Sequence, residues 1–367
     1  MKVLYFTRDY TPHDFRFLNA ISGNGDEVYY LRLERRNIYE SRPIPEAVHV
    51  VDWEFGKAPF DMEKDCDAAV DALKRVWDEL QPDVIHSGPL TDTSYIAAKA
   101  GLHPHTAMSW GFDLGREIET DAGCLARAKF ALAQADWFLG DCYVELDKAA
   151  ELGYDRTRAT IFPWGIDTAR FSPGESKLRS ELAKEDEFLV LSLRTMEPNY
   201  DVETALRGFL LAAKDCKKIR MILLGDGSLM PKLKEIAAAD VDGDRVRFLG
   251  RQPNDLLVDY YRAADLYLSA SIVDGSSVSL LEAMGCGTPV LMSAIPGNLE
   301  WVRANENGML FECRDAQTIA EKIRFAVENR DVIREYAEAA RADIEAKADW
   351  NKNKAKIKIA YNGAINR

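Results

Sequence analysis

The stretch S-I-V-D-G-S-S-V-S-L-L-E-A-M-G-C-G-T-P-V-L-M-S-A-I-P, residues 271–296, decides how the rest of the chain is read. Asp274 is followed eight positions on by Glu282, and Gly275, Ser276 and Ser277 make a turn between them. Leu280, Leu281 and Met284 have helical spacing, which predicts a helix opening near Ser277. The backbone N–H groups of its first turn, at Ser277, Val278 and Ser279, make a pocket that attracts anions. Glu282 lies one turn further in, on the face shared by Val278 and Ser279. A phosphate at the helix start therefore leaves Glu282 free to grip a neighbouring diol. That geometry suits a sugar nucleotide, with the diphosphate on the N–H groups and the ribose on the glutamate. A strand, a polar turn and a core helix with no ligand is the plainer reading of the same residues.

Working outward, 367 residues are enough for two domains, each with its own core. A hydrophobic content of 47% and a charged content of 29% are those of a soluble globular enzyme. The formal charge of −13 argues against nucleic acid as a partner, because phosphate backbones need a basic face. Arg32, Arg35 and Arg36 form a short basic cluster that could touch anionic lipid, but a solvated face is the commoner use of such a cluster. Peripheral membrane contact is therefore compatible with the sequence and not indicated by it. No run approaches the roughly 18 apolar residues of a membrane span. Met1-Lys-Val-Leu-Tyr-Phe enters a strand directly, so no leader is expected and the protein reads as cytoplasmic. The six cysteines are scattered without C-x-x-C pairing and read as reduced core residues.

D-G-S-S-V-S-L-L-E-A-M-G-C-G-T-P-V, residues 274–290, resembles the E-x7-E segment of the retaining glycosyltransferases of family 4, which have the GT-B fold. The usual pattern there is E-G-F-G-L-P-x-L-E-A-M-A-C-G-x-P-V. This chain keeps the second acid, Glu282, and has Asp274 for the first. The resemblance implies two facing Rossmann-like domains and a nucleotide-diphosphate sugar as donor. It also implies an acceptor hydroxyl on a carbohydrate, a lipid-linked group or a small molecule. No cofactor and no metal are expected.

Before the boundary, strands are expected at Lys2–Thr7, Glu27–Leu31, Val48–Trp53, Val84–His86, Thr106–Ser109, Trp137–Gly140 and Thr160–Phe162. Helical patterns at Asp61–Leu80 and Thr91–Ala100 alternate with them, which indicates a parallel sheet covered on both faces. Ligands of such sheets sit at the carboxyl ends of the strands. There the family usually has Gly-Gly after the first strand, and this chain has Thr11 to Arg16. His13 and Arg16 are candidates for the acceptor side, with His13 equally a helix-start residue. His86, in a P-D-V-x-H match, is either a further acceptor-side residue or a structural histidine. Where the family reads H-G-x-D, this chain has Trp110, Gly111 and Asp113. Trp110 can stack on a sugar but cannot act as acid or base. Asp113 is retained and is carried into the catalytic set.

Ile161 to Pro173 is similar to the family's crossing segment and places the domain boundary near residue 170. The first domain is then 1–170, with 350–367 packing back on it, and the second is 171–349. Arg194, at the end of the apolar strand Phe188–Leu193, matches the arginine that neutralises the donor diphosphate; a surface ion pair is its plainer role. Asn199 or Tyr200 stands in the region of the family's lysine, so one positive charge is missing. Gly225, in G-D-G, and Arg251 with Gln252, after the strand at Val246, match donor-side loops. Two D-x-D triplets, Asp65-Cys66-Asp67 and Asp242-Gly243-Asp244, are the places a metal would be sought; neither has the spacing of a calcium loop.

The implied catalytic residues are Asp274, Arg194 and Asp113. The implied donor-binding residues are Glu282, Gly275, Ser276, Ser277, Val278 and Ser279, joined by Gly225, Arg251, Gln252 and Trp110. An epimerase or phosphorylase of the same architecture, or a non-catalytic sugar-nucleotide-binding protein, are the alternatives. An oxidoreductase is disfavoured, since Met230 fills the place of the third glycine of a dinucleotide fingerprint.

Overall fold

The computed structural model describes residues 1–36, 40–240 and 245–367. They divide into two compact units, Met1–Pro163 with Asn351–Arg367, and Trp164–Trp350. The triplet Asp242-Gly243-Asp244 and its neighbour Val241 lie outside the described residues.

The first unit is built on seven parallel strands: β1 (Lys2–Thr7), β2 (Glu27–Arg32), β3 (Val48–Val50), β4 (Val84–Gly88), β5 (His105–Met108), β6 (Trp137–Gly140) and β7 (Ala159–Ile161). Their order across the sheet is β3-β2-β1-β4-β5-β6-β7. Val3, Leu4, Tyr5 and Phe6 of β1 are fully buried on both faces, which is why the strand reads as a continuous apolar run. The helix Met62–Leu80 is capped by Asp61, whose carboxylate accepts from the amides of Glu63 and Lys64. It buries Cys66, Ala69, Val70, Leu73 and Val76, a stripe at three- and four-residue spacing. Fully burying a leucine or valine of such a stripe contributes about 1.5–3 kcal/mol.

The second unit repeats the plan with six parallel strands: β8 (Phe188–Leu193), β9 (Ile219–Leu224), β10 (Val246–Gly250), β11 (Leu266–Ser269), β12 (Val290–Ser293) and β13 (Met309–Phe311). Their order is β10-β9-β8-β11-β12-β13. In each sheet the first strand lies between the second and the fourth, so the winding direction reverses beside it: between β1 and β4, and between β8 and β11. Ligands of doubly wound sheets bind outside the strand ends at such reversals.

Two expectations shift. The units divide at Pro163–Trp164, ahead of residue 170. Ile166 belongs to the second core, as does Phe171, which was expected there, and the Ile166 amide donates to the carbonyl of Ala348 at 2.8 Å. The strand expected at Val48–Trp53 ends at Val50, because Trp53 turns inward. Its ring meets Phe6 edge-on at 5.6 Å, and its Nε1 donates to the Arg32 carbonyl at 2.9 Å. No helix among the described residues is long and apolar enough to cross a membrane. The cysteines are free; Cys66, Cys124, Cys142 and Cys286 are buried, Cys216 is half-buried, and Cys313 is exposed, unlike the core residue expected.

Candidate functional site

In the second unit the carboxyl ends of β8 and β11 bring together the residues that the sequence singled out. Arg194 is the first residue after β8. Its Nε donates to Ser269 Oγ at 3.0 Å, and its Nη2 donates to Asp274 Oδ2 at 2.7 Å and to Ser277 Oγ. The guanidinium lies over the ring of Tyr200, 5.2 Å from its centroid, and only 10% of the side chain is exposed. Burial alone would lower the Arg194 pKa; the charge of Asp274, with Tyr267 and Tyr200 behind it, outweighs that and raises it. Arg194, which the resemblance puts on the donor diphosphate, is thus paired with Asp274, the first acid of the motif.

The helix predicted near Ser277 runs from Val278 to Gly285 with Ser277 as its N-cap. No side chain caps it. The Ser277 hydroxyl is instead taken up by Arg194 and sits 3.2 Å from Ser279 Oγ, which accepts from the Tyr267 hydroxyl at 2.8 Å. The amides of Val278 and Ser279 have no acceptor within the helix, as first-turn groups never do. Ser276 is buried and accepts from Trp301 Nε1 at 3.1 Å. A Cβ on Gly297 would lie 2.5 Å from the carbonyls of Asp274 and Gly275, so the turn rests directly on the short helix Pro296–Leu299.

Glu282 is 7% exposed, more enclosed than the free carboxylate that the spacing implied. Its Oε2 accepts from the Tyr261 hydroxyl at 2.9 Å, so its surroundings are polar where that oxygen points. Gly225 has φ +115°, and a Cβ there would come 2.1 Å from the Arg194 carbonyl. Its part is thus to let the Arg194 loop lie flat against it. Gln252 is committed within its own unit: Nε2 donates to the Leu249 carbonyl at 2.7 Å and Oε1 accepts from the Tyr260 hydroxyl at 3.0 Å. Arg251 is exposed beside it.

The first-unit candidates fare differently. Asp113 is fully buried and accepts from the amides of Leu90, Trp110 and Leu114 and from Ser109 Oγ, at 2.7–3.1 Å. Burial raises its pKa to about 6 against those donors. It organises the Trp110 loop, which removes it from the catalytic set. His86 is corrected likewise: it is fully buried within β4, with Nδ1 2.7 Å from the Tyr361 hydroxyl and Nε2 3.2 Å from Met108 Sδ. It is a structural histidine and no acceptor-side residue. His13 is the second residue of the helix Pro12–Gly23, and its ring meets Trp110 at 5.3 Å. Burial, then Arg16, lowers its pKa to about 3, so it is neutral across the physiological range. Arg16 is half-buried on the same helix.

Asp65 and Asp67 are spent on the Asp61 amide and on Lys99. Among the described residues one group could offer metal ligands, Asp141, Cys142 and Glu145, with ligand atoms within 4.8 Å of one another. Burial, followed by Asp141 and Asp113, raises Glu145 well above the usual carboxylate range, which favours a protonated carboxyl there over a ligand. Sequence reasoning missed this group and missed Tyr261 and Tyr267, which lie on separate elements; Tyr200, named there only for the region of the family's lysine, lies under the Arg194 guanidinium.

Residues 175–343 match the family model for glycosyl transferases group 1. The chain is 30% identical over 234 residues to a D-inositol 3-phosphate glycosyltransferase of Geodermatophilus obscurus, covering 59% of this chain and 51% of that protein. It is 32% identical over 143 residues to the alpha-monoglucosyldiacylglycerol synthase of Streptococcus pneumoniae, covering 37% and 32%. The chain thus spans about half the length, or less, of these relatives. Among solved structures, sucrose-phosphate synthase of Thermosynechococcus elongatus is similar with a TM-score of 0.81 at 17% identity, over 99% of this chain and 98% of that one. HepE of Anabaena, in complex with UDP-glucose, gives 0.81 at 18% identity over 99% of both. Two Rossmann-like units of the GT-B class are the fold.

Proposed function

We propose, from the match of residues 175–343 to the family model for glycosyl transferases group 1, that the protein moves a sugar from a nucleoside-diphosphate sugar to an acceptor hydroxyl, with retention of configuration and without metal or cofactor. The observation that carries this reading is the convergence of Arg194, Asp274 and Ser277 at the uncapped start of a helix whose next turn holds Glu282.

A diphosphate placed at that start meets the amides of Val278 and Ser279 and the Arg194 guanidinium. These donors stabilise the charge that grows on the leaving oxygen as the sugar–phosphate bond breaks. Asp274, released from Arg194 by the incoming phosphate, turns to a hydroxyl of the transferred sugar. Glu282, held by Tyr261, takes the ribose. Retention follows if the acceptor attacks on the face that the diphosphate leaves. The cation count favours one second reading, a sugar-nucleotide-binding protein without turnover, because Arg194 is already matched by Asp274 and no lysine stands in the loop 195–201 after it.

UDP-glucose, the ligand of the HepE complex, is the first donor to try. Glu282→Ala is expected to weaken donor binding at least tenfold by calorimetry, and wild-type affinity in that variant sinks the ribose assignment. Product anomers read by NMR, with and without chelator, test retention and metal independence. Donor binding without transfer across a broad acceptor panel favours the second reading.

A further inference from the structure

Arg194 is bound to the protein along one edge. Nε and Nη2 take Ser269, Asp274 and Ser277, whereas Nη1 donates to none of the described residues. Bonds along one edge fix where a guanidinium sits but leave it free to tilt about that edge. The tilt is stopped by the ring of Tyr200, which carries the guanidinium on its face.

Tyr200 is itself held firmly by its neighbours. It closes the short turn Pro198–Tyr200, where its amide donates to the Glu197 carbonyl at 3.0 Å. The carbonyl of Asn199 accepts from the amide of Ile272 at 2.9 Å, which ties that turn to the segment following β11. Asp201, in the left-handed region at φ 41°, then starts the helix Val202–Asp215 and caps it by accepting from the Thr204 amide. Tyr200 packs against the core that includes Phe188, Val190 and Met196. The ring is thus a shelf anchored both to the sheet and to a helix start.

We infer that Tyr200 is a positioning residue for the donor diphosphate: it sets the plane of Arg194, so that Nη1 stays open to the phosphate. The inference rests on the transferase reading above and adds a residue to its donor site. Where the family likeness calls for a lysine, this chain has Asn199 and Tyr200. The two solutions differ in kind. A lysine brings a second charge on a flexible stem; an aromatic face brings none, but orders the one charge present. That order counts most when a phosphate displaces Asp274. Nη2 then loses its carboxylate, while the attraction between guanidinium and ring persists, because it uses the face and not the edge. The phosphate meets Nη1 and Nη2 already in one plane, the fork that suits two of its oxygens.

The test uses the full chain, isotope-labelled at the arginine nitrogens, and the tightest-binding of UDP, GDP and ADP. Tyr200→Phe keeps the aromatic face, and Tyr200→Leu keeps only an apolar body. The Nε–H resonance of Arg194 is assigned by its loss in Arg194→Lys. Tyr200→Leu is expected to weaken the nucleotide about tenfold by calorimetry and to move that resonance, which then lacks the field of the ring, while melting stays within about 3 °C of wild type. Tyr200→Phe is expected to keep both the affinity, to within about twofold, and the resonance. Wild-type affinity in Tyr200→Leu overturns the role. A loss in Tyr200→Phe as large as that in Tyr200→Leu overturns it too, because the hydroxyl is then the working group. A resonance that neither variant moves overturns the placement of Arg194 on the ring. If the wild type binds none of the three nucleotides, a resonance moved by Tyr200→Leu and kept by Tyr200→Phe upholds that placement and fells the donor reading instead.

Discussion

Arg194 and Asp274 satisfy each other at 2.7 Å, so any phosphate that uses the guanidinium must first compete with the carboxylate. Asp274→Asn is therefore expected to tighten binding of a nucleoside diphosphate by about tenfold, about 1.4 kcal/mol, while turnover falls because a sugar hydroxyl loses its acceptor. Calorimetry and initial rates on the same preparation separate the two effects, and weaker nucleotide binding refutes the competition. Asp113 gives a pH signature. Its folded pKa of about 6 lies above the unfolded value of 3.8. Its contribution is therefore fully present below pH 3.8 and is lost as pH rises through 6, by about 3 kcal/mol at 1.36 per unit. Asp113→Asn should gain on wild type by that order between pH 4 and 7 in denaturant titrations, and a difference flat with pH contradicts it. At this scale the sequence was legible where chemistry is local. Asp274, Ser277 and Glu282 lie within nine residues, and helical spacing alone places them. Burial is not local: nothing in the strings around His86 or Asp113 shows that each is enclosed by distant elements. Tyr261 cannot be tied to Glu282 before the fold brings them together.

The loop after β8 is shaped by glycines that belong to a different strand end. Gly225 holds φ +115°, and the carbonyl of Arg194 fills the space a Cβ would need. Gly225→Ala should cost about 1–3 kcal/mol of stability through backbone strain and should displace Arg194. Unchanged melting and unchanged nucleotide affinity in that variant would show that the loop has room to yield. At the other end of the helix Val278–Gly285, Arg341 Nη1 donates to the carbonyls of Gly285 and Phe171, at 2.6 and 2.7 Å. One side chain thus ties the last turn of that helix to the segment following Ile166. The alternation of apolar runs and helical stripes made the elements legible, because parallel strands buried on both faces leave little ambiguity. Edges were less so. The strand at Val48 stops early because one tryptophan turns inward, and the boundary expected near residue 170 falls earlier because Ile166 joins the second core.

Each unit has a core of its own, yet the first is assembled from two separated parts of the chain. The helix Lys356–Ile365 places Tyr361 against His86, and Gly363 lies so close to the Trp137 ring that a Cβ would come within 2.5 Å. Tyr361→Ala should remove about 3–5 kcal/mol from the first unit alone. Calorimetry is expected to resolve an early transition while nucleotide binding by the second unit persists; a single shifted transition would mean that the units melt together. That the chain holds two domains could be read from its length, and the αβ alternation of the first from its own apolar strands and helical stripes; that the second repeats the plan came with the family likeness. That a closing segment rejoins the opening one was legible only through the family likeness, since no periodicity encodes it. The ribosome meets this topology as a delay. Residues 164–350 have everything their core needs once residue 350 has emerged, whereas the opening half of the nascent chain must wait, sheet face uncovered, for residues 351–367. The half made first is the half finished last, and during that interval its exposed apolar surface is what a chaperone would have to shield.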